Sequence, residues 1–145
     1  MKKLLSKCCL LLSHVPCFNS CTSLHDAAMK GDVATVQRHI RWGGDVNQVD
    51  KDGWTPLFFA ACEGRTEIVK VLIAAGANVN LADKEGRTPL STAILYGHPE
   101  TVKVLIAAGA NVNQADEDGW TPLFFAAREG RTEIVELLKA AGAKE

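Results

Sequence analysis

The side chains that could do chemistry in this sequence are few, and their spacing joins none of them into a reacting group. Histidines stand at His14, His25, His39 and His98, and no two are close enough in sequence to make a zinc-binding pair. Cys8, Cys9, Cys17 and Cys21 crowd the N-terminus, while Cys62 is alone in the rest of the chain. A disulfide framework would spread its cysteines through the fold, and a redox role for Cys62 would need a basic neighbourhood that the sequence does not assure. Asp50, Asp83 and Asp116 each precede a glycine by three residues, the place of a carboxylate that accepts backbone N–H groups in a turn. No glycine-rich phosphate loop and no nucleophile elbow occurs. The remaining acid–acid and Ser–His combinations fall on repeated surface positions with no pocket to bury them. This reading expects a chain that is not an enzyme, with no catalytic residue, metal, cofactor or small-molecule substrate.

Bulk properties narrow the field further. With 47% hydrophobic and 23% charged residues, the 145-residue chain has an ordinary globular composition. Lys2, Lys3 and Lys7 put +3 on the first 21 residues, so residues 22–145 carry −4 of the total −1. A mildly acidic folded part argues against nucleic acid as a partner. The chain has no uninterrupted apolar run long enough to span a membrane.

The elements that position these side chains come from an internal repeat. Gly53, Gly86 and Gly119 lie 33 residues apart and open the phrases GWTPLFFAA, GRTPLSTAI and GWTPLFFAA. VKVLIAAGANVN runs over 69–80 and again over 102–113, and Leu24, Ala27, Ala28 and Gly31 align with Leu57, Ala60, Ala61 and Gly64. Four units follow, at about 22–52, 53–85, 86–118 and 119–145. Within a unit, Thr55 caps a helix start and Pro56 suits its first position, which needs no N–H partner. That spacing predicts a short helix over 57–63, stopped at Gly64. Thr66 and Glu67 begin a second, with Ile68, Val69, Leu72 and Ile73 as its apolar stripe and Gly76 at its end. Neither helix is long enough to stand alone, so each pair must bury its flanks against its neighbours. At one position the four units read Ile40, Ile73, Ile106 and Lys139, and at another Arg38, Val71, Val104 and Leu137. The first set is expected to face the following repeat and the second the preceding one. On that expectation the array closes at both ends as four units.

The period and the motifs Thr-Pro-Leu (55–57, 88–90, 121–123) and Gly-Ala-Asn-Val-Asn (76–80, 109–113) closely resemble those of the ankyrin-repeat family over residues 22–145. The resemblance implies an all-α solenoid of stacked helix–turn–helix units with hairpin-like loops. It also implies a protein partner, bound in a concave groove of loop tips and first helices. The matching positions are Lys51, Asp52, Trp54, Cys62 and Glu63, then Lys84, Glu85, Arg87, Leu95 and Tyr96, then Glu117, Asp118, Trp120, Arg128 and Glu129. Trp54, Arg87 and Trp120 share the position before Thr-Pro and are expected side by side, with Arg87 between two indoles as a cation–π ladder. Trp and Arg are enriched at binding hot spots, but an indole there can equally be a lid over loop backbone. Leu95 and Tyr96 fit either the groove wall or the packing between first helices. Phe58, Phe59, Phe124 and Phe125 are expected as packing between repeats, and Ser91 and Thr92 should alter the groove width where they replace a Phe pair. The family often carries histidine at the place of Phe58, Ser91 and Phe124; here only His25 occupies it.

Residues 1–21, MKKLLSKCCLLLSHVPCFNSC, stand outside the repeat. Lysines followed by an apolar stretch resemble a secretory signal, with Cys21 as the lipidated residue of a lipoprotein. His14, Pro16 and Phe18 depart from that pattern. Palmitoylation at Cys8 and Cys9, or an apolar leader folded over the first repeat, are the other readings. Location thus stays open between the cytoplasm and an exported or membrane-attached state, with a membrane partner only if the leader is an anchor.

Overall fold

The computed structural model describes residues 23–144. The leader, with the candidate lipidation site Cys21 and the pair Cys8 and Cys9, lies outside the described residues. Among the described residues eight α-helices form and no strand. In chain order they are α1 (Leu24–Lys30), α2 (Val33–Arg41), α3 (Pro56–Cys62), α4 (Thr66–Ala74), α5 (Pro89–Leu95), α6 (Pro99–Ala107), α7 (Pro122–Arg128) and α8 (Thr132–Ala140). Each unit contributes a first and a second helix. First helices pack on first helices (α1, α3, α5, α7) and second on second (α2, α4, α6, α8), giving two layers.

The helix starts follow from the residues. Thr55, Thr88 and Thr121 sit in extended backbone and accept the amide N–H of the third residue on, at Phe58, Ser91 and Phe124. The Ser91 hydroxyl completes a capping box by accepting from the Thr88 N–H. Proline at 56, 89 and 122 takes the first helical position. Asp32 caps α2 with both oxygens, accepting from the Thr35 N–H and, at 2.6 Å, from its hydroxyl.

Stacking rests on three kinds of contact. Apolar flanks come first: Leu24, Leu57 and Leu90 are buried, as are Val36, Val69 and Val102 one layer over. Ile40 and Val71 line one crevice between α2 and α4, which fits the expected facing of those two positions. Second, Asn47, Asn80 and Asn113 each bridge to the next loop as a peptide group would. The side chain donates to the carbonyl of Gly76, Gly109 or Gly142 and accepts from the N–H of Asn78, Asn111 or Lys144. Third, a side chain ahead of a second helix reaches back to the preceding unit. Arg65 donates to the Met29 carbonyl at 3.1 Å, and His98 donates through Nε2 to the Cys62 carbonyl at 2.9 Å. Both satisfy carbonyls that a helix end leaves without an intrahelical partner. His98 lies so close to Gly64 that a Cβ there would stand 2.5 Å from Nδ1.

Two positions of the last unit are more open than their counterparts in the second, and one of them, Phe124, is a residue expected as packing between repeats. Lys139 is exposed where Ile73 is half-buried. Phe124 is 47% exposed, while its counterpart Phe58 is 1% exposed beneath the third repeat. No helix pair among the described residues lies over Phe124.

Two outcomes are expected. Gly64→Ala forces alanine to φ 66° and against His98, so it should lower stability by about 1–3 kcal/mol in urea titrations. The cost should shrink in a His98→Ala background, because part of it is the clash. The Thr35 hydroxyl, then its N–H, lowers the Asp32 pKa. Stability from a lowered carboxylate is present above its unfolded value and lost as pH falls through the folded one. Asp32→Asn should therefore flatten part of the acid limb of a stability–pH curve.

Candidate partner-binding groove

The loop tips are built by three aspartates. Oδ1 of Asp50, Asp83 and Asp116 accepts the backbone N–H two and four residues on. This fixes each turn, so the tip residue ahead of Thr-Pro is held by its own backbone. At Asp83 the second oxygen gathers three more donors: Arg87 Nε at 3.0 Å, Arg87 Nη2 at 2.8 Å and Trp54 Nε1 at 3.1 Å. A carboxylate this buried is tolerated because a guanidinium and three other N–H groups, of Glu85, Arg87 and the Trp54 indole, satisfy it. The tips are also joined directly, Glu117 N–H to the Glu85 carbonyl at 3.2 Å and Lys84 Nζ to the Lys51 carbonyl.

That arrangement corrects two expectations. Arg87 does not lie between two indoles; its guanidinium turns back onto Asp83 and, at 3.2 Å, Glu85. A carboxylate four residues back in the same turn outcompetes a ring face, since the charged hydrogen bonds are the stronger attraction. Trp54 is 3% exposed, so its indole is interior and not an accessible tip. It stacks on Phe58 at 5.2 Å, meets Phe59 edge-on and joins a small core with Met29, against which Leu95 and Tyr96 of the third unit pack. Of the two readings of this residue, the lid describes Trp54. Cys62 is likewise buried rather than on an open wall.

Trp120 differs. It is half-buried, meets Phe124 at 5.2 Å and Phe125 at 5.6 Å, and carries the Arg128 guanidinium 4.9 Å from its ring centre. The cation–π contact expected at Arg87 is thus made by Arg128. Lys51, Lys84, Glu85, Glu117, Asp118 and Arg128 are exposed; Asp52, Glu63, Arg87, Leu95, Tyr96 and Glu129 are half-buried. Between the third and fourth units a crevice of about 240 Å³ opens, floored by Leu95, Trp120 and Phe125. It exists because Ser91 and Thr92 stand where the second unit has Phe58 and Phe59, whose rings fill the corresponding space. Both hydroxyls are spent on the Thr88 carbonyl, so they leave the crevice little polarity of their own. Its rim is Glu85, Asp116 and Asp118, with Arg87 already engaged. Among the described residues no cluster of three or more His, Cys, Asp or Glu is arranged to hold a metal ion, and no helix is long and apolar enough to cross a membrane.

Two features went unread in the sequence. His98 and Arg65 bind the preceding unit, and only their common position before a second helix could have signalled it. Trp42 is 80% exposed at the end of α2, where the later units have Ala75, Ala108 and Ala141. An aromatic in an alanine register was the available sign.

Short helix pairs stacked through bridging loops define a helical-repeat solenoid. The family model described as ankyrin repeats (3 copies) matches residues 24–116 and 75–145, so nearly all of the described chain is covered. The chain belongs to the ankyrin-repeat family, whose members generally serve as protein-interaction modules. No curated protein matches it.

Trp54→Ala should cost about 3–5 kcal/mol, as for a large buried aromatic, and Trp120→Ala clearly less. Equal losses in guanidinium melts would reject the distinction between the two indoles.

Proposed function

We propose that this protein binds a partner protein along the groove of tips and first helices, anchored in the crevice between the third and fourth units. The observation that carries the proposal is the crevice itself: an aromatic floor of Trp120 and Phe125 beneath a rim of three carboxylates. Such a site suits a lysine or arginine side chain. Its methylene stem covers the rings while its cation meets Asp116, Asp118 and Glu85. Asp116 is available for this role because the tip residue of its own unit is Trp120, which brings no guanidinium as Arg87 does to Asp83. Stacking supports the reading from the other side, since a surface fixed by its neighbours loses little ordering entropy on binding. Lys51, Asp52, Glu63, Lys84, Glu117 and Glu129 would form the polar border, and Tyr96 would support Leu95.

The second unit supplies the test. Ser91→Phe with Thr92→Phe copies its residues into the third and fills the crevice. Proteins captured by the full chain would be identified, and the tightest titrated against both forms. The double variant should weaken binding at least about tenfold, equivalent to roughly 1.4 kcal/mol, with an unchanged or higher Tm. A partner held equally well by the filled groove would reject the crevice as its anchor.

A further inference from the structure

We infer that the crevice between the third and fourth units has an occupant within this chain: the lysine-bearing leader, residues 1–21, which lies along the groove and holds it closed to a partner. The inference rests on the groove reading above and adds the control of that site.

Chemistry comes first. The crevice suits a lysine, with the rings of Trp120 and Phe125 for its stem and Glu85, Asp116 and Asp118 for its ammonium. The leader carries Lys2, Lys3 and Lys7 and no acid, three cations for those three carboxylates. Leu4 and Leu5 stand between Lys3 and Lys7, and apolar neighbours of this kind suit a floor of Leu95, Trp120 and Phe125. The signs of the whole segments also match, +3 on the leader against −4 on residues 22–145. Lysines of the third unit's surroundings are committed elsewhere: Lys84 donates to the Lys51 carbonyl, and Lys103 pairs with Glu100 and Glu133.

Place and length agree with this. The leader joins the fold next to Ser23, the cap of α1. His25 donates through Nε2 to the carbonyls of Gln48 and Trp54, at 3.1 Å each, so α1 begins beside the first loop tip. The chain before Ser23 therefore departs from the end of the first helices at which the tips and the crevice lie. Packed helices stand about 10 Å apart, which puts the crevice about 25 Å from that point. Lys7 is 16 residues before Ser23. A chain of that length can span about 50 Å, so the lysines reach the crevice with length to spare.

Tethering makes a weak contact sufficient. One chain holding both parts gives an effective concentration on the order of 1 mM. A crevice that holds the free segment with a Kd of about 0.1 mM is then about nine-tenths filled, and a competitor binds about tenfold more weakly. Whatever withdraws the leader opens the groove.

The test uses the full chain and, as probe, a fluorescent synthetic peptide of residues 1–10 carrying Cys8→Ser and Cys9→Ser. Anisotropy titrations compare the unaltered chain with a variant carrying Lys2→Gln, Lys3→Gln and Lys7→Gln, which keeps the leader's length and loses its cations. The variant should take the probe about tenfold more tightly, a gain that a misfolded protein could not show. Adding Ser91→Phe with Thr92→Phe should abolish probe binding in both. In the unaltered chain a carbodiimide should link a leader lysine to Asp116, Asp118 or Glu85, and mixed heavy- and light-isotope chains should show the link within one copy. Equal affinity of the two forms, with both lost on filling the crevice, would overturn the inference and leave the groove reading standing. Links formed between copies would overturn it in the same way. A probe that binds neither form, or that still binds the filled crevice, would sink the groove reading along with it.

Discussion

Everything in this structure depends on flank burial between neighbouring helix pairs. A first helix of seven residues and a second of nine cannot hold themselves in water. Each is stable only because Leu57 or Val69 has an apolar counterpart one unit away. The polar contacts then fix the register of this burial. An asparagine amide spans to the next loop, and a histidine or arginine closes the end of the preceding helix. Hydrophobic area supplies the attraction; the directional bonds choose one alignment among those that would bury similar area.

The same rules that hold the scaffold also decide where its surface opens. Asp83 shows this most clearly. By satisfying Arg87 and the Trp54 indole together, it holds the indole in the interior and commits the half-buried guanidinium, so the second-to-third junction is closed. At the next junction the tip residue is a tryptophan, the paired phenylalanines are replaced by Ser91 and Thr92, and space opens. Two differences in a repeating frame convert packing into an open crevice. Whether a tip or first-helix side chain is interior or accessible thus depends on whether the adjoining unit uses it.

Sequence reading reached far where the cause is local. Thr-Pro at a helix start needs only its own turn, so α3, α5 and α7 were legible with boundaries one residue off. The turn role of Asp50, Asp83 and Asp116 was legible for the same reason. It fell short where a distant residue decides. GWTPLFFAA occurs twice, and nothing inside it says that Phe58 is interior while Phe124 is bare. The difference is that a described unit packs over Phe58 and none of the described helices packs over Phe124. Trp54 was open to two readings because its indole partner lies 29 residues away. Arg87 was misassigned because the ring faces were weighed without the carboxylate four residues before it.

Units that touch only their neighbours give the molecule a mechanical character. Among the described residues the first and last helix pairs do not pack on each other, so strain applied to one end travels through each junction in series, as along a leaf spring. A small tilt at every Asn bridge adds up over the length of the stack, and the tips splay or close together while each core stays intact. Pulled lengthwise, such a chain would peel unit by unit from an end instead of yielding at once.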